Sequence, residues 1–123
     1  MMSETIASVD WQGRDLDCTA CPERELHARN GCRAGLACVH DRYARRIDRF
    51  FYWNPGLAKD FLEHPYFEVR AVAAKYLDVF HLPQLLDDPD ETVRGSAALR
   101  LPGKQLLRMV NDPPREVRIR VAA

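Results

Sequence analysis

The chain has no apolar run long enough to span a bilayer. Its first residues, Met1-Met2-Ser3-Glu4-Thr5, offer neither the basic start nor the apolar stretch of a secretion signal. Both absences point to a cytoplasmic protein with no membrane partner. Net charge is absent too: 18 Lys and Arg stand against 18 Asp and Glu. The balance is also local, with eight of each sign up to Trp53 and ten of each beyond it. No global field steers the molecule to nucleic acid or anionic lipid, so no nucleic-acid partner is expected. Missing as well are a Rossmann glycine run, a P-loop, H-E-x-x-H and G-x-S-x-G. The C-x3-C-x2-C loop of radical chemistry does not occur, and His, Asp and Glu form no catalytic constellation. The expectation is a non-enzyme: at 123 residues, one modest domain with a small appended module.

Cysteine is absent outside one short stretch, and within it there are four. Cys18-Thr19-Ala20-Cys21 forms a C-x2-C pair, and Cys32 and Cys38 follow after gaps of ten and five residues. Thiols so close together either pair as disulfides or hold one soft metal centre. A reducing cytosol keeps thiols free, which favours metal. Four thiolates complete a tetrahedral set for zinc or for an iron–sulfur cluster, and the spacing alone leaves both open. The run is neither the bacterial ferredoxin pattern nor the plant-type one. Between the outer cysteines, Pro22 to Arg29 reads as a short helix stopped by Asn30-Gly31, a strap across the site. Arg14, Arg24, Arg29 and Arg33 lie near in sequence. They either stabilise a negatively charged centre or form a solvated face paired with Asp15, Asp17, Glu23 and Glu25. With four cysteines present, His27 and His40 read as ordinary polar residues.

The second half repeats itself. His64-Pro65, Asp88-Pro89 and Asp112-Pro113 are followed by Glu68-Val69-Arg70, Thr92-Val93-Arg94 and Glu116-Val117-Arg118. Ala73-Ala74, Ala97-Ala98 and Val121-Ala122 then close each unit. The step is 24 residues, from 65 to 89 to 113 and from 69 to 93 to 117. Ala58, Leu82 and Leu106 fall in register, as do Leu77 and Leu101. Within one unit, Asp88 is the expected N-cap, Pro89 the first helical residue and Glu91 the capping-box acid. Val93, Ala97, Ala98 and Leu101 make the apolar stripe, and Pro102-Gly103 stops the helix. Twenty-four residues hold one α-helix of about three turns and one shorter, 3₁₀-like piece. Two full helices per unit need about 34 to 47 residues, and the strand signature of leucine-rich repeats is missing. The fold class is therefore all-α, a solenoid of short repeats. Arg70, Arg94 and Arg118 share one repeat position and form a row, expected to be a salt-bridge ladder with acidic neighbours such as Glu68, Asp90, Glu91, Asp112 and Glu116.

The cysteine segment and the repeats, in that order, resemble the leucine-rich repeat variant proteins, which carry an N-terminal iron–sulfur module. The resemblance covers all but about the first dozen residues. It implies alternating α and 3₁₀ helices in a right-handed superhelix, with a [4Fe-4S] cluster on Cys18, Cys21, Cys32 and Cys38. It also hints at a nitrogen-fixation context. This chain is short for such a protein, with two full repeats and a partial third. The expected organisation is a flexible N-terminus over 1–13, a four-cysteine iron–sulfur module with a linking helix over 14–53, and repeats over 54–123.

From Val39 to Trp53 the sequence predicts one amphipathic helix, with Val39, Tyr43, Ile47, Phe50 and Phe51 on its apolar stripe. Arg42, Arg45, Arg46 and Arg49 form a basic stripe. That stripe is either a docking face for an acidic partner or a solvated face with an Asp41–Arg45 pair. The run Phe50-Phe51-Tyr52-Trp53 is expected to pack as the seam that caps the first repeat. Two functions follow: a redox-linked adaptor that binds an unidentified protein, or a scaffold whose iron–sulfur or zinc centre only folds the cap. The end of the chain leaves the stripe of Val117, Val121 and Ala122 uncovered, which favours a partner or weak self-association through the last repeat.

Overall fold

A computed structural model describes residues 8–101. The elements run α1 (Arg24–Ala28), α2 (Ala44–Trp53), a 3₁₀ helix (Pro55–Phe61), α3 (Phe67–Ala73), a second 3₁₀ helix (Leu82–Asp87) and α4 (Glu91–Ala98). Three isolated antiparallel bridges occur, and among the described residues no strand forms. The all-α class matches the sequence expectation. No described helix is long and apolar enough to cross a membrane. The chain divides into two compact units, one as far as Pro55 and one from Gly56 onward.

The first unit is mostly turns. Residues 8–13, expected to belong to a flexible terminus, are tied into it. The Leu16 N–H donates to the Ser8 carbonyl, the Arg42 N–H to the Val9 carbonyl, and Asp10 bridges to Asp41. Its one long helix is shorter than the apolar stripe suggested: α2 starts at Ala44, not Val39. The cause is Asp41, whose carboxylate accepts the Tyr43 N–H at 2.8 Å and the Arg46 guanidinium at 3.0 Å. An Asp that hydrogen-bonds the backbone two residues on makes a turn, and the helix can begin only after it. The pair is therefore Asp41–Arg46 rather than Asp41–Arg45, and it is buried. Arg49 donates to the Leu36 carbonyl at 3.0 Å, leaving Arg42 and Arg45 as the exposed arginines of the stripe. α2 buries Ile47, Phe50 and Phe51, and the two phenylalanine rings meet edge-on at 5.2 Å. Each fully buried side chain of that size contributes about 1.5–3 kcal/mol. The aromatic run, expected to pack throughout, divides at this point, since Tyr52 and Trp53 are both exposed. Asn54 ends the helix, its side chain and its own N–H both donating to the Phe50 carbonyl.

In the second unit, α3 starts at Phe67 and α4 at Glu91, and 91 − 67 = 24. Positions one step apart sit in like environments: Val69 and Val93, Ala73 and Ala97, Leu77 and Leu101, Ala58 and Leu82 are all buried. α4 packs on α3 and on the second 3₁₀ helix. The expected cap is corrected by two residues. Asp90, not Asp88, caps α4, accepting the N–H groups of Thr92 at 2.8 Å and Val93 at 3.4 Å. Pro89 therefore precedes the helix instead of opening it. Asp88 is drawn away by Arg70, whose Nε and Nη2 reach its carboxylate at 2.8 and 3.1 Å. The third repeat, with Leu106, Asp112-Pro113, Arg118 and the Val121-Ala122 stripe, lies outside the described residues, as does the Pro102-Gly103 stop.

Candidate metal centre

Each cysteine is placed by a short, self-bonded turn. Asp17 Oδ1 accepts the Thr19 N–H at 3.0 Å and the Thr19 hydroxyl at 2.6 Å, folding the Cys18–Cys21 loop back on itself. The same two bonds hold the Asp17 carboxyl below the usual carboxylate range. Asp17 thus serves as a turn-former. The Cys21 carbonyl accepts the Arg24 N–H at 3.1 Å, which leads into α1. That helix ends at the left-handed Asn30, φ 64°, as Asn-Gly anticipates. Gly31 follows, and a Cβ there would lie 2.3 Å from Leu26 Cδ1, so any larger residue would displace the Leu26 side chain. Asn54 Nδ2 donates to the Gly31 carbonyl at 2.7 Å, fixing the chain just before Cys32.

The five-residue gap between Cys32 and Cys38 is closed by the residues inside it. Arg33 and Ala37 exchange N–H···O bonds at 2.7 and 2.9 Å around Gly35, whose φ is 80°. Closing that small hairpin sets Cys32 and Cys38 side by side at its base. Gly35 is required because a Cβ is strained at this φ, and one here would also meet Ser8 Oγ at 2.9 Å.

All four cysteines line one pocket, together with Glu23, His27, Arg33, Ala34, Val39, His40 and Phe50. All four are free thiols, and Cys38 is buried. Burial pushes the Cys21 thiol up. It pushes Cys32 to about 11, helped by the neighbouring Cys18 and Cys21, and Cys38 to about 12. Sulfurs that disfavour one another's charge in a half-dry pocket need a cation among them before they can all be thiolates. Among the described residues, no three His, Cys, Asp or Glu side chains gather as ligands of a single ion. The four thiols line one pocket, and a donor set of four thiols fits an iron–sulfur group, whose irons each take one thiolate.

Of the arginines near in sequence, Arg33 lines the cavity and Arg24 holds the Cys21 carbonyl through Nη1 at 3.4 Å. Arg14 pairs with Asp10 at 3.4 Å. By residue type His27 and His40 read as ordinary polar residues, yet both line the cavity, and His40 Nε2 lies 3.2 Å from Glu23 Oε2. One signal could have found that pair: Glu23 and His40 each stand two residues after a cysteine.

Residues 8–60 match the sequence model of the family described as "LRV protein FeS4 cluster". An uncharacterized 27.7 kDa protein in the nifB 3′ region of Rhodobacter capsulatus is 50% identical over 101 residues, 82% of this chain and 41% of that protein. A solved structure, described as a leucine-rich repeat variant with a novel repetitive protein structural motif, superposes with a TM-score of 0.81 at 45% identity. The match covers 87% of this chain and 46% of that one. The chain spans less than half the length of either relative.

Proposed function

Because its residues 8–60 make this chain a member of the leucine-rich repeat variant family with an iron–sulfur module, we propose that Cys18, Cys21, Cys32 and Cys38 hold a [4Fe-4S] cluster and that the helical repeats join it to a protein partner. The observation that carries the reading is the convergence of all four thiols on one cavity. A [4Fe-4S] cluster supplies one-electron chemistry when bound. The chain's own part is to give every iron a protein ligand, leaving no open position for a substrate. That supports an electron carrier or redox-linked adaptor over an enzyme. Phe50 and Val39, both fully buried, form the apolar side of the pocket.

The repeats support the adaptor half. Short α and 3₁₀ pieces alternating at a 24-residue step suit a right-handed superhelix, an extended surface of the kind other solenoids use for binding. The nifB-region relative supports a nitrogen-fixation context, and the need for free thiols supports a cytoplasmic site of action. A second reading has its own observation. The first unit buries few large side chains, chiefly Val39, Ile47, Phe50 and Phe51. A metal centre, zinc included, would therefore be what folds it.

Anaerobic reconstitution with ferrous iron and sulfide separates the two. The redox reading expects iron and acid-labile sulfide in equal amounts, with a paramagnetic signal that appears on one-electron reduction and vanishes on reoxidation. Stoichiometric zinc without iron, or a cluster that never changes oxidation state, sinks it in favour of the structural one.

A further inference from the structure

Glu23 and His40 are 17 residues apart and meet at the cavity. Each stands two residues after a cysteine, in Cys21-Pro22-Glu23 and Cys38-Val39-His40. The Glu23 N–H donates to Cys21 Sγ at 3.3 Å, and the His40 N–H donates to the Cys38 sulfur. Their side chains then join, His40 Nε2 to Glu23 Oε2 at 3.2 Å, with 19% and 23% of their surfaces exposed. So the two residues that hold two of the sulfurs by backbone are linked to each other by side chain. The contact bridges a long interval of chain, because α1 and the Arg33–Ala37 hairpin separate the Cys18–Cys21 loop from Cys38 in sequence.

We propose that Glu23 and His40 form a positioning clasp across the cysteine cavity, keeping the Cys21 and Cys38 sulfurs and their N–H···S bonds in register with a bound cluster. The inference rests on the iron–sulfur reading above. Partners one step behind the ligands orient them, and losing such a partner weakens metal retention. An exposed ion pair of ordinary kind would contribute little. This one is half-shielded and bears on two ligands at once, so its effect falls on the cluster more than on the fold.

The test uses the full chain, reconstituted with iron and sulfide, as wild type, Glu23→Ala, His40→Ala, the double alanine variant and Glu23→Gln. Iron loss to a ferrous chelator is followed without oxygen, well below the melting temperature. The paramagnetic line shape of the reduced cluster is recorded alongside. Each alanine variant should lose iron about 10- to 100-fold faster than wild type. The double variant should be no worse than either single, because one contact is broken in all three. Glu23→Gln keeps an oxygen acceptor for the imidazole N–H and should restore both the rate and the line shape. A wild type that loads normally, with alanine variants matching its rate and line shape, overturns the clasp alone, as does a fall in melting temperature with no change in either readout. A wild type that takes up no iron and sulfide overturns the iron–sulfur reading, and the clasp with it.

Discussion

Arg70 and Asp88 meet as a fork on a carboxylate, at 2.8 and 3.1 Å, and tie α3 to the segment that leads into α4. The third guanidinium nitrogen, Nη1, donates to the His64 carbonyl at 2.7 Å. One repeat on, Arg94 Nη1 donates to the Asp88 carbonyl at 2.8 Å, and both contacts run six residues back along the chain. The arginine row is therefore built into the helical unit, each described member bracing the turn before its own helix. The partner of Arg70 is thus Asp88, a residue expected as a helix cap and not among the acidic neighbours expected for the row, and the pair is shielded: 13% and 6% of the two side chains remain accessible.

A shielded pair behaves asymmetrically when broken. Asp88→Ala strands a buried guanidinium and should cost about 3–5 kcal/mol, read as a shift of the urea midpoint. Replacing both partners by apolar residues, Arg70→Met with Asp88→Leu, should recover most of that loss. A single variant within about 1 kcal/mol of wild type, the range measured for exposed pairs, would show that solvent reaches the contact freely.

The alkaline limb of stability distinguishes the thiol form from the loaded one. In the metal-free chain, Cys32 titrates near 11 and Cys38 near 12 when folded, against a thiol value of 9.0. A raised acid binds its proton more tightly folded than unfolded. Its contribution is thus fully present below about pH 8.5 and is lost as pH climbs toward 11 and 12. The metal-free module should melt progressively earlier across that window, followed by circular dichroism, and Cys38→Ser should flatten the slope. The loaded module has already released those protons, so its melting should not follow the same curve. Identical curves for both forms would show that the sulfurs do not carry the metal.

Gly35 gives the sharpest test of the hairpin between Cys32 and Cys38. Alanine there must adopt φ near 80° or open the Arg33–Ala37 pairing. The first route costs about 1–2 kcal/mol, and the second moves a cysteine. Gly35→Ala should therefore lower iron uptake at limiting iron while leaving the second unit's melting unchanged. Full uptake at wild-type rates would mean that the hairpin is not what sets the two sulfurs.

What could be read from residues alone follows their period. Val69 and Val93, Ala73 and Ala97, and Leu77 and Leu101 are named as one stripe by the 24-residue step, and all are buried. The four cysteines are named by type and proximity, and they share one cavity. Competition between neighbours was not legible. Asp88 and Asp90 are both good caps, and tertiary pull from Arg70, 18 residues away from Asp88, decides between them. Asp41 likewise ends a continuous apolar pattern because its carboxylate prefers the Tyr43 N–H and Arg46 to solvent. Polar residues choose among partners that a periodicity cannot see, and for that reason the Glu23–His40 contact also escaped.

Arg100 makes the last case. It donates through Nη1 to the Ala74 carbonyl at 2.8 Å and also to the Leu77 carbonyl. These carbonyls lie just past the end of α3, where helix geometry leaves acceptors without partners. The matching position one repeat earlier is Tyr76, so the cap is not inherited from the repeat but added to it. Arg100→Ala should leave both carbonyls short of a donor and cost about 1–3 kcal/mol. The loss should be local: hydrogen exchange should quicken at the Tyr76 and Leu77 amides, which now donate to the Ala73 carbonyl at 2.9 and 3.1 Å. Arg100→Lys keeps a charged donor but places it on a shorter, more flexible stem, and it should recover only part of the protection. Exchange that quickens equally throughout the second unit would show that Arg100 stabilises the unit as a whole and does not cap the end of α3.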